Sequence, residues 1–149
     1  MHKIQFLNTI VTAVIFLLLG SCTLETSDNG DLDGMWHLTR VDTLATGGQR
    51  DMVADRVFWS FQVRMVNVRC LATGVNMVSH FTHTDGTLQF QTFYLNNREG
   101  GAPEVTDSLA YLFPYVAIQR MDETFRVEKL NSSDMILAGD VLRLTFEKY

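Results

Sequence analysis

The stretch that decides the fold is RVFWSFQVRMVNVRCL, residues 56–71. Apolar residues first alternate on one strand face, at Val57, Trp59, Phe61, Val63 and Met65. They continue in the opposite phase, at Val66, Val68 and Cys70. A period of two predicts β-strand, and a one-residue change of phase predicts a β-bulge, at which a sheet bends toward closure. A turn near Met65 is the alternative, although neither Gly nor Pro marks one.

The next segment predicts a β-hairpin. Asp85-Gly86 separates two alternating runs, Val75–Thr84 and Thr87–Leu95, and this dipeptide is a strong signal for a two-residue turn. The resulting register gives a mostly apolar face with the pairs Met77–Tyr94, Ser79–Thr92, Phe81–Phe90 and His83–Leu88. The other face has the pairs His80–Gln91 and Thr82–Gln89, as expected for a solvated surface.

Strands are also predicted on both sides of this hairpin. In the first of them, Trp36, Leu38 and Arg40 share a face. The flanking strands are Met35–Thr43, Tyr115–Gln119, Thr124–Leu130, Met135–Ala138 and Val141–Tyr149. The last two would form a hairpin about Gly139-Asp140, with Leu137 opposite Leu142 and Met135 opposite Leu144. Because most turns link neighbours, we predict an all-β, antiparallel up-and-down barrel of about eight strands, with a β-sandwich as the rival.

One short helix interrupts the strands. Thr106 suits an N-cap, and Leu109, Leu112 and Phe113 recur at helical spacing. Pro114 is expected to end this helix. The segment Thr106–Phe113 would be a lid over the barrel mouth or a plug that closes one end.

The amino-terminal sequence predicts export. Lys3 precedes the apolar run Ile10–Leu19, which is about half the length of a transmembrane span, so residues 1–21 are interpreted as a signal peptide. Leu19-Gly20-Ser21-Cys22 resembles the lipobox of bacterial lipoproteins, which implies lipidation of Cys22, with palmitate as a typical acyl chain. Several acyl chains anchor a protein durably. An ordinary signal peptide is the alternative.

The domain division follows from this reading. Residues 1–21 would be the lipoprotein signal peptide, residues 22–32 a lipidated tether, and residues 33–149 the barrel domain. The run Thr23–Leu32 is polar, which favours a short flexible tether. Cys70 is left without a cysteine partner and is interpreted as a small buried apolar residue. The net charge of −5 argues against nucleic-acid binding, which needs a cationic surface.

A family resemblance rests on three segments. Gly34-Met35-Trp36, the strand Val57–Val63 and the closing pattern over residues 125–148 resemble lipocalin-like lipoproteins of the Bacteroidetes. The resemblance implies a location on the outer membrane of a Gram-negative bacterium, at its periplasmic or outer face. It also implies that Gly34 and Trp36 lie at the closed base, where a cation from near the chain end crosses the indole. Arg143 and Lys148 are the candidates, and the strand face favours Lys148.

The barrel interior is the main candidate site. The residues expected to converge there are Trp59, Phe61, Met77, Phe81, Phe90 and Tyr94. They would line a calyx for a small, partly apolar ligand, or they would fill the core by themselves. We expect a monomer that binds such a ligand without catalysis. The alternative is a structural or interaction module, for example an accessory to surface glycan handling, with a filled barrel.

Other chemistry has weaker support. His80 and His83 should face opposite sides of a strand, and His37 lies far along the sequence, so no metal site and no cofactor are predicted. The acids Asp51 and Asp55 are interpreted as a solvated salt-bridge patch with neighbouring arginines. The same bacterial group modifies Asp-Ser/Thr-apolar sites, which makes Thr43 and Ser108 candidates for O-glycosylation.

Overall fold

The computed structural model describes residues 27–97 and 100–149. The predicted signal peptide, Cys22 and the first part of the tether lie outside the described residues. Within the described ranges, no helix is long and apolar enough to cross a membrane.

The described residues form nine strands and three short 3-10 helices. The strands are β1 (Gly34–Thr43), β2 (Gln49–Asp51), β3 (Val57–Gln62), β4 (Met65–Cys70), β5 (Asn76–Thr84), β6 (Thr87–Leu95), β7 (Thr124–Leu130), β8 (Asp134–Ala138) and β9 (Leu142–Lys148). The 3-10 helices are Gly30–Leu32, Val53–Asp55 and Asp107–Val116.

The strands close into a barrel. Each of β3 to β9 pairs antiparallel with its neighbour in sequence, and β1 pairs with both β3 and β9. The short β2 pairs only with the second half of β1, outside the closed ring of eight. The predicted antiparallel up-and-down barrel of about eight strands, with a short helix, is therefore confirmed.

The predicted bulge near Met65 is wrong, and the alternative turn is present. Gln62 pairs with Met65, so Val63 and Arg64 form a two-residue turn between β3 and β4. Val63 has a φ of 56°, which a β-branched residue rarely adopts. Hydrogen bonds with the side chains of Ser27 and Asn29 hold its main chain in this turn, which explains how it forms without Gly or Pro.

The Asp85-Gly86 turn is confirmed. The strand register predicted from this turn is correct only for the pairs near the turn. Thr84 pairs with Thr87, and Phe81 pairs with Phe90 as predicted. A bulge in β6 then adds one residue, so that Met77 pairs with Leu95 and Ser79 with Phe93. The predicted pairs Met77–Tyr94 and Ser79–Thr92 are therefore wrong. The hydroxyl of Ser79 occupies the bulge, where it accepts a hydrogen bond from the Gln91 N–H and donates one to the Gln91 carbonyl.

The last hairpin has a longer loop than predicted. Leu137 pairs with Leu144 and Met135 with Phe146, which is two residues away from the predicted register. Gly139 is present for packing rather than for a tight turn. A Cβ atom at Gly139 would lie 3.2 Å from the Glu123 carboxylate and 3.3 Å from the Phe125 ring.

A bulge also changes the first strand. The pairing of β1 with β9 shifts between Leu38 and Arg40. Arg40 is therefore exposed, and does not share the buried face of Trp36 and Leu38 as predicted.

The helix continues through its proline. Pro114 lies inside the 3-10 helix Asp107–Val116, so the prediction that it ends the helix is wrong, as is the strand predicted at Tyr115–Gln119. The fixed φ of proline is close to that of a 3-10 helix, which explains why the turn can continue. Ala117 ends the helix with a φ of 59°.

The predicted flexible tether does not extend to Leu32. Residues 30–32 form a 3-10 turn against the barrel, and the Leu32 side chain is almost fully buried. Burial of this apolar side chain offsets the cost of ordering the short segment.

Candidate functional site

Aromatic rings fill the barrel interior around Trp59. The Trp59 side chain is fully buried, and its ring centroid lies 4.9 Å from that of Phe146, 5.3 Å from Phe90 and 5.7 Å from Phe125. Phe61 continues the cluster in edge-to-face contact with Phe81, at 5.2 Å. Such contacts are typical of a packed core.

Five of the six predicted interior residues are buried: Trp59, Phe61, Met77, Phe81 and Phe90. Tyr94 is half-buried instead, and Phe93 occupies the interior. The β6 bulge causes this exchange, because one extra residue reverses which side chains face inward. An alternation pattern with no marker for the bulge could not have identified Phe93.

The helix Asp107–Val116 closes one end of the barrel. The indole N–H of Trp59 donates a hydrogen bond to the Val116 carbonyl at 3.0 Å. Phe113 packs on Phe93 with the ring centroids 5.5 Å apart. These buried contacts join the helix to the aromatic core, which favours the plug over the lid in this conformation.

The opposite end, which we call the base, is closed by the segment before β1. The indole N–H of Trp36 donates to the Leu32 carbonyl at 2.9 Å. Lys148 Nζ lies 4.2 Å from the Trp36 ring centroid and donates hydrogen bonds to the carbonyls of Asp31 and Asp33. Gly34 has a φ of 109°, and a Cβ atom there would lie 3.1 Å from the Lys148 side chain. The positive φ therefore favours glycine, and a larger residue would also crowd the end of the Lys148 side chain.

The charges at the base influence one another. Burial lowers the pKa of Lys148, although the nearby Asp31 and Asp33 oppose the change. Burial alone would raise the pKa of the Asp33 carboxyl, but hydrogen bonds from Ser27 and Asn29, together with Lys148, lower it overall. Asp33 therefore keeps its negative charge beside the lysine.

Arg143, the other candidate for the base cation, lies on the outer face of the barrel. Its guanidinium group donates to both carboxylate oxygens of Glu128, at 2.7 and 3.1 Å. These hydrogen bonds raise the pKa of Arg143 and lower the pKa of Glu128.

The outer surface carries a concave region beside the β3–β4 turn, with a volume of about 630 Å³. We call it the outer groove, and its lining residues are Ser60, Gln62, Val63, Arg64, Met65, Val66, Asn67, Val78 and His80. Met65 supplies exposed apolar surface. Arg64 and His80 are exposed, and no carboxylate is among the described lining residues.

A second apolar feature lies next to this groove on the outer face. Phe58 is an outward-facing residue of β3, yet it is buried because neighbouring side chains cover it. His37 stacks on its ring at 4.8 Å, Tyr149 contacts it edge-to-face at 5.1 Å, and the Arg69 guanidinium lies 5.7 Å from its centroid. This cluster packs the Tyr149 ring against the barrel wall.

The family model of the lipocalin-like domain matches residues 16–149. The chain belongs to this lipocalin-like family. The match spans nearly the whole sequence, in agreement with the closed barrel, the Gly34-Met35-Trp36 start and the packed base. None of the functionally curated proteins compared matches the sequence.

Three solved structures share the lipocalin-like fold. A lipocalin-like protein from Bacteroides uniformis is 22% identical, with a TM-score of 0.61 over 80% of this chain and 100% of that one. An uncharacterized protein from Bacteroides eggerthii is 19% identical, with a TM-score of 0.59 over 79% and 99%. A protein from Burkholderia xenovorans is 18% identical, with a TM-score of 0.51 over 87% and 96%. At these identities the likeness establishes the fold alone.

The three histidines within the described residues are dispersed. His80 and His83 are exposed, whereas His37 stacks on Phe58. Among the described residues, no group of three or more His, Cys, Asp or Glu side chains is placed to hold a metal ion.

The remaining predicted residues lie apart from one another. Arg50 pairs with Asp55 at 2.9 Å on the surface, and Asp51 accepts a hydrogen bond from the Val53 N–H. Ser108 is exposed at the start of the helix, whereas Thr43 is half-buried at the end of β1. The structure brings neither glycosylation candidate to the interior or to the outer groove. Cys70 is buried with a free thiol.

Sequence reasoning missed one buried acid. Glu123 is 4% exposed, and the main-chain N–H groups of Gln119 and Arg120 donate to its carboxylate. Burial raises the pKa of Glu123, although those hydrogen bonds oppose the change. The carboxylate organises the loop that enters β7. A lone Glu between Asp122 and Thr124 gives no sequence signal for this role.

Proposed function

We propose that this lipocalin-like chain is a lipid-anchored, non-catalytic module of the cell envelope that acts through its outer surface. The observation that carries this choice is the filled interior. Trp59 contacts four other aromatic rings and also hydrogen-bonds to the helix that closes the barrel. A ligand could enter only by displacing these packed rings, at a cost comparable to a large core substitution, about 3–5 kcal/mol.

The proposed anchor is the thiol of Cys22, followed by a short link to the barrel. The five residue-to-residue steps from Cys22 to Ser27 can span at most about 18 Å when fully extended. A lipidated Cys22 would therefore hold the base of the barrel close to the bilayer, because Ser27 hydrogen-bonds to the β3–β4 turn. The outer groove lies beside the same turn. We propose the outer membrane as the location and membrane lipid as the permanent partner of the anchor.

The second candidate is a carrier with a calyx, favoured by the lipocalin-like family and by the apolar character of the interior residues. This function requires the helix Asp107–Val116 to move away from Phe93 and Trp59. The two candidates differ in whether a small molecule occupies the barrel in the native membrane.

Native mass spectrometry of the full-length protein, extracted from a Gram-negative membrane, tests both candidates. We expect cleavage before Cys22, acyl chains on its thiol and amino group, and no small molecule retained inside the barrel. Cys22→Ala should remove the acyl mass and release the protein from the membrane. An unmodified Cys22 would overturn the anchor, and a stoichiometric retained apolar molecule that shifts Trp59 fluorescence would favour the carrier.

A further inference from the structure

We propose that the outer groove binds a small amphipathic carboxylate, with the apolar body over Met65 and Val78 and the head group at Arg64. This inference rests on the proposed function only in taking the outer face as the working surface. The volume of about 630 Å³ is within the range of small-molecule sites.

The charge of the groove favours an anionic head group. The chain has 17 acidic residues against 12 basic ones, yet the groove is lined by Arg64 and His80 and, among the described residues, by no carboxylate. No salt bridge joins Arg64 to an acid in residues 27–97 or 100–149, whereas Arg50, Arg126 and Arg143 each pair with one. A guanidinium group without a carboxylate partner can donate two parallel hydrogen bonds to a ligand carboxylate.

The apolar part of the groove favours a hydrocarbon body. Met65 has 43% of its surface exposed in the groove. On the neighbouring strand β5, Val78 lies two residues before His80, the partner of Met65, and pairs with Asn67. Methionine adapts its shape to irregular apolar ligands. The polar groups Ser60, Gln62 and Asn67 border this apolar surface.

The turn that carries Arg64 is held rigidly in an unfavourable conformation. Val63 adopts a φ of 56°, a conformation that costs on the order of 1 kcal/mol or more for a β-branched residue. Its N–H donates to Ser27 at 2.7 Å, and its carbonyl accepts from Asn29 at 2.8 Å. The Arg64 carbonyl accepts a hydrogen bond from the Phe81 N–H at 3.0 Å. Three fixed main-chain contacts thus place Arg64 beside His80, the strand neighbour of Met65.

Calorimetric titration of the full-length protein with decanoate, below its micelle concentration, tests this proposal. We expect saturable binding of decanoate with weaker binding of decanol and of acetate, because each lacks one half of the recognised structure. Arg64→Gln should weaken decanoate binding roughly tenfold or more through loss of the charged hydrogen bonds. Arg126→Gln, on the far strand β7, should leave it unchanged. Met65→Gln should weaken the binding of decanoate but not the binding of acetate.

Several results would overturn the proposal that the outer groove binds an amphipathic carboxylate. One is that decanoate shows no saturable binding to the wild type. Another is that decanoate binds the wild type and Arg64→Gln with equal affinity. The third is that Arg64→Gln and Arg126→Gln lose equal amounts of decanoate affinity. Both arginines are exposed, so their variants should keep the wild-type melting temperature, which circular dichroism checks. Failure of decanoate to bind leaves the lipid anchor and the filled barrel standing. Decanoate binding that perturbs Trp59 would overturn both the proposed binding site in the outer groove and the claim that the barrel interior is filled.

Discussion

Lys148 Nζ lies 4.2 Å from the Trp36 ring centroid while it hydrogen-bonds to the main-chain carbonyls of Asp31 and Asp33. One ammonium group thereby joins the last strand, the first strand and the segment before it. Lys148→Ala should lower the free energy of unfolding by about 2 kcal/mol, from the cation–π contact and the charged hydrogen bonds. Lys129 pairs with Asp134 on the surface, so Lys129→Ala should cost less than about 1 kcal/mol. Equal losses in denaturant unfolding would remove Lys148 from this role.

The strained turn at Val63 gives a stability prediction of opposite sign. Val63→Gly should stabilise the protein or leave it unchanged, within about 1 kcal/mol, because glycine adopts positive φ without steric cost. Val53 is exposed and does not share the positive φ, so Val53→Gly should destabilise by about 0.5–1 kcal/mol. Chemical denaturation of the two variants checks the difference. A larger loss for Val63→Gly than for Val53→Gly would contradict the assigned strain.

The turn also depends on the segment before β1. Ser27→Ala should cost about 1 kcal/mol, because the Val63 N–H loses its acceptor. Asp33 accepts hydrogen bonds from Ser27 and Asn29, so the same variant should also raise the Asp33 pKa. Carboxyl NMR titration of the variant measures that rise. An unchanged Asp33 pKa would show that Ser27 does not support the carboxylate.

The two tryptophans pair across β1 and β3, but their indole N–H groups donate to the segments that close opposite ends of the barrel, which makes them matched probes. Trp59→Phe removes the hydrogen bond to Val116 and should speed amide hydrogen exchange in residues 107–117. Trp36→Phe removes the hydrogen bond to Leu32 and should speed exchange in residues 29–33. Each variant should leave the other segment near its wild-type rate after correction for global stability. Faster exchange at both ends in both variants would contradict this separation.

The buried Glu123 and the half-buried Asp33 should give opposite pH dependences of stability. The pKa of Glu123 is raised by burial, so the folded state holds that proton more tightly than the unfolded state. Its contribution to stability is therefore lost as pH rises from about 4.5 through the folded-state pKa. The pKa of Asp33 is lowered, so its contribution is present above about 3.8 and is lost as pH falls through the folded-state pKa.

Unfolding free energies measured from about pH 3 to about pH 7 test these signs. Relative to wild type, Glu123→Gln should become more stable as pH rises, and Asp33→Asn should become less stable. Parallel slopes for the two variants would contradict the assigned pKa directions.

The sequence predicted elements whose signals are local. Alternating apolar residues identified most strands, and Asp85-Gly86 identified a turn, because positive φ at both positions suits those residues. The β3–β4 turn was only the alternative to a bulge because its stabilising groups, Ser27 and Asn29, lie more than 30 residues away in sequence. The interior position of Phe93 depends on the β6 bulge around Ser79, which has no local marker.

In the candidate site, too, the sequence predicted what local patterns determine and not what depends on distant residues. Trp59, Phe61 and Phe90 could be placed inside because the alternation of apolar residues is regular over residues 57–61 and over residues 88–90, before the β6 bulge. Whether those rings leave a void depends on packing across the barrel, and no pattern within a single strand contains that information. The outer groove likewise combines residues of β3, β4 and β5, brought together by strand pairing.

The central claim is that the barrel interior is filled and that ligands contact the outer face. The chain contains two tryptophans, Trp36 at the base and Trp59 in the aromatic core, so fluorine NMR of the 5-fluorotryptophan protein reports on both places with one signal each. Titration with decanoate and with larger apolar carboxylates is the most direct measurement. The filled barrel predicts that the Trp59 resonance keeps its position while ligand binds. A saturable shift or splitting of the Trp59 resonance would contradict it.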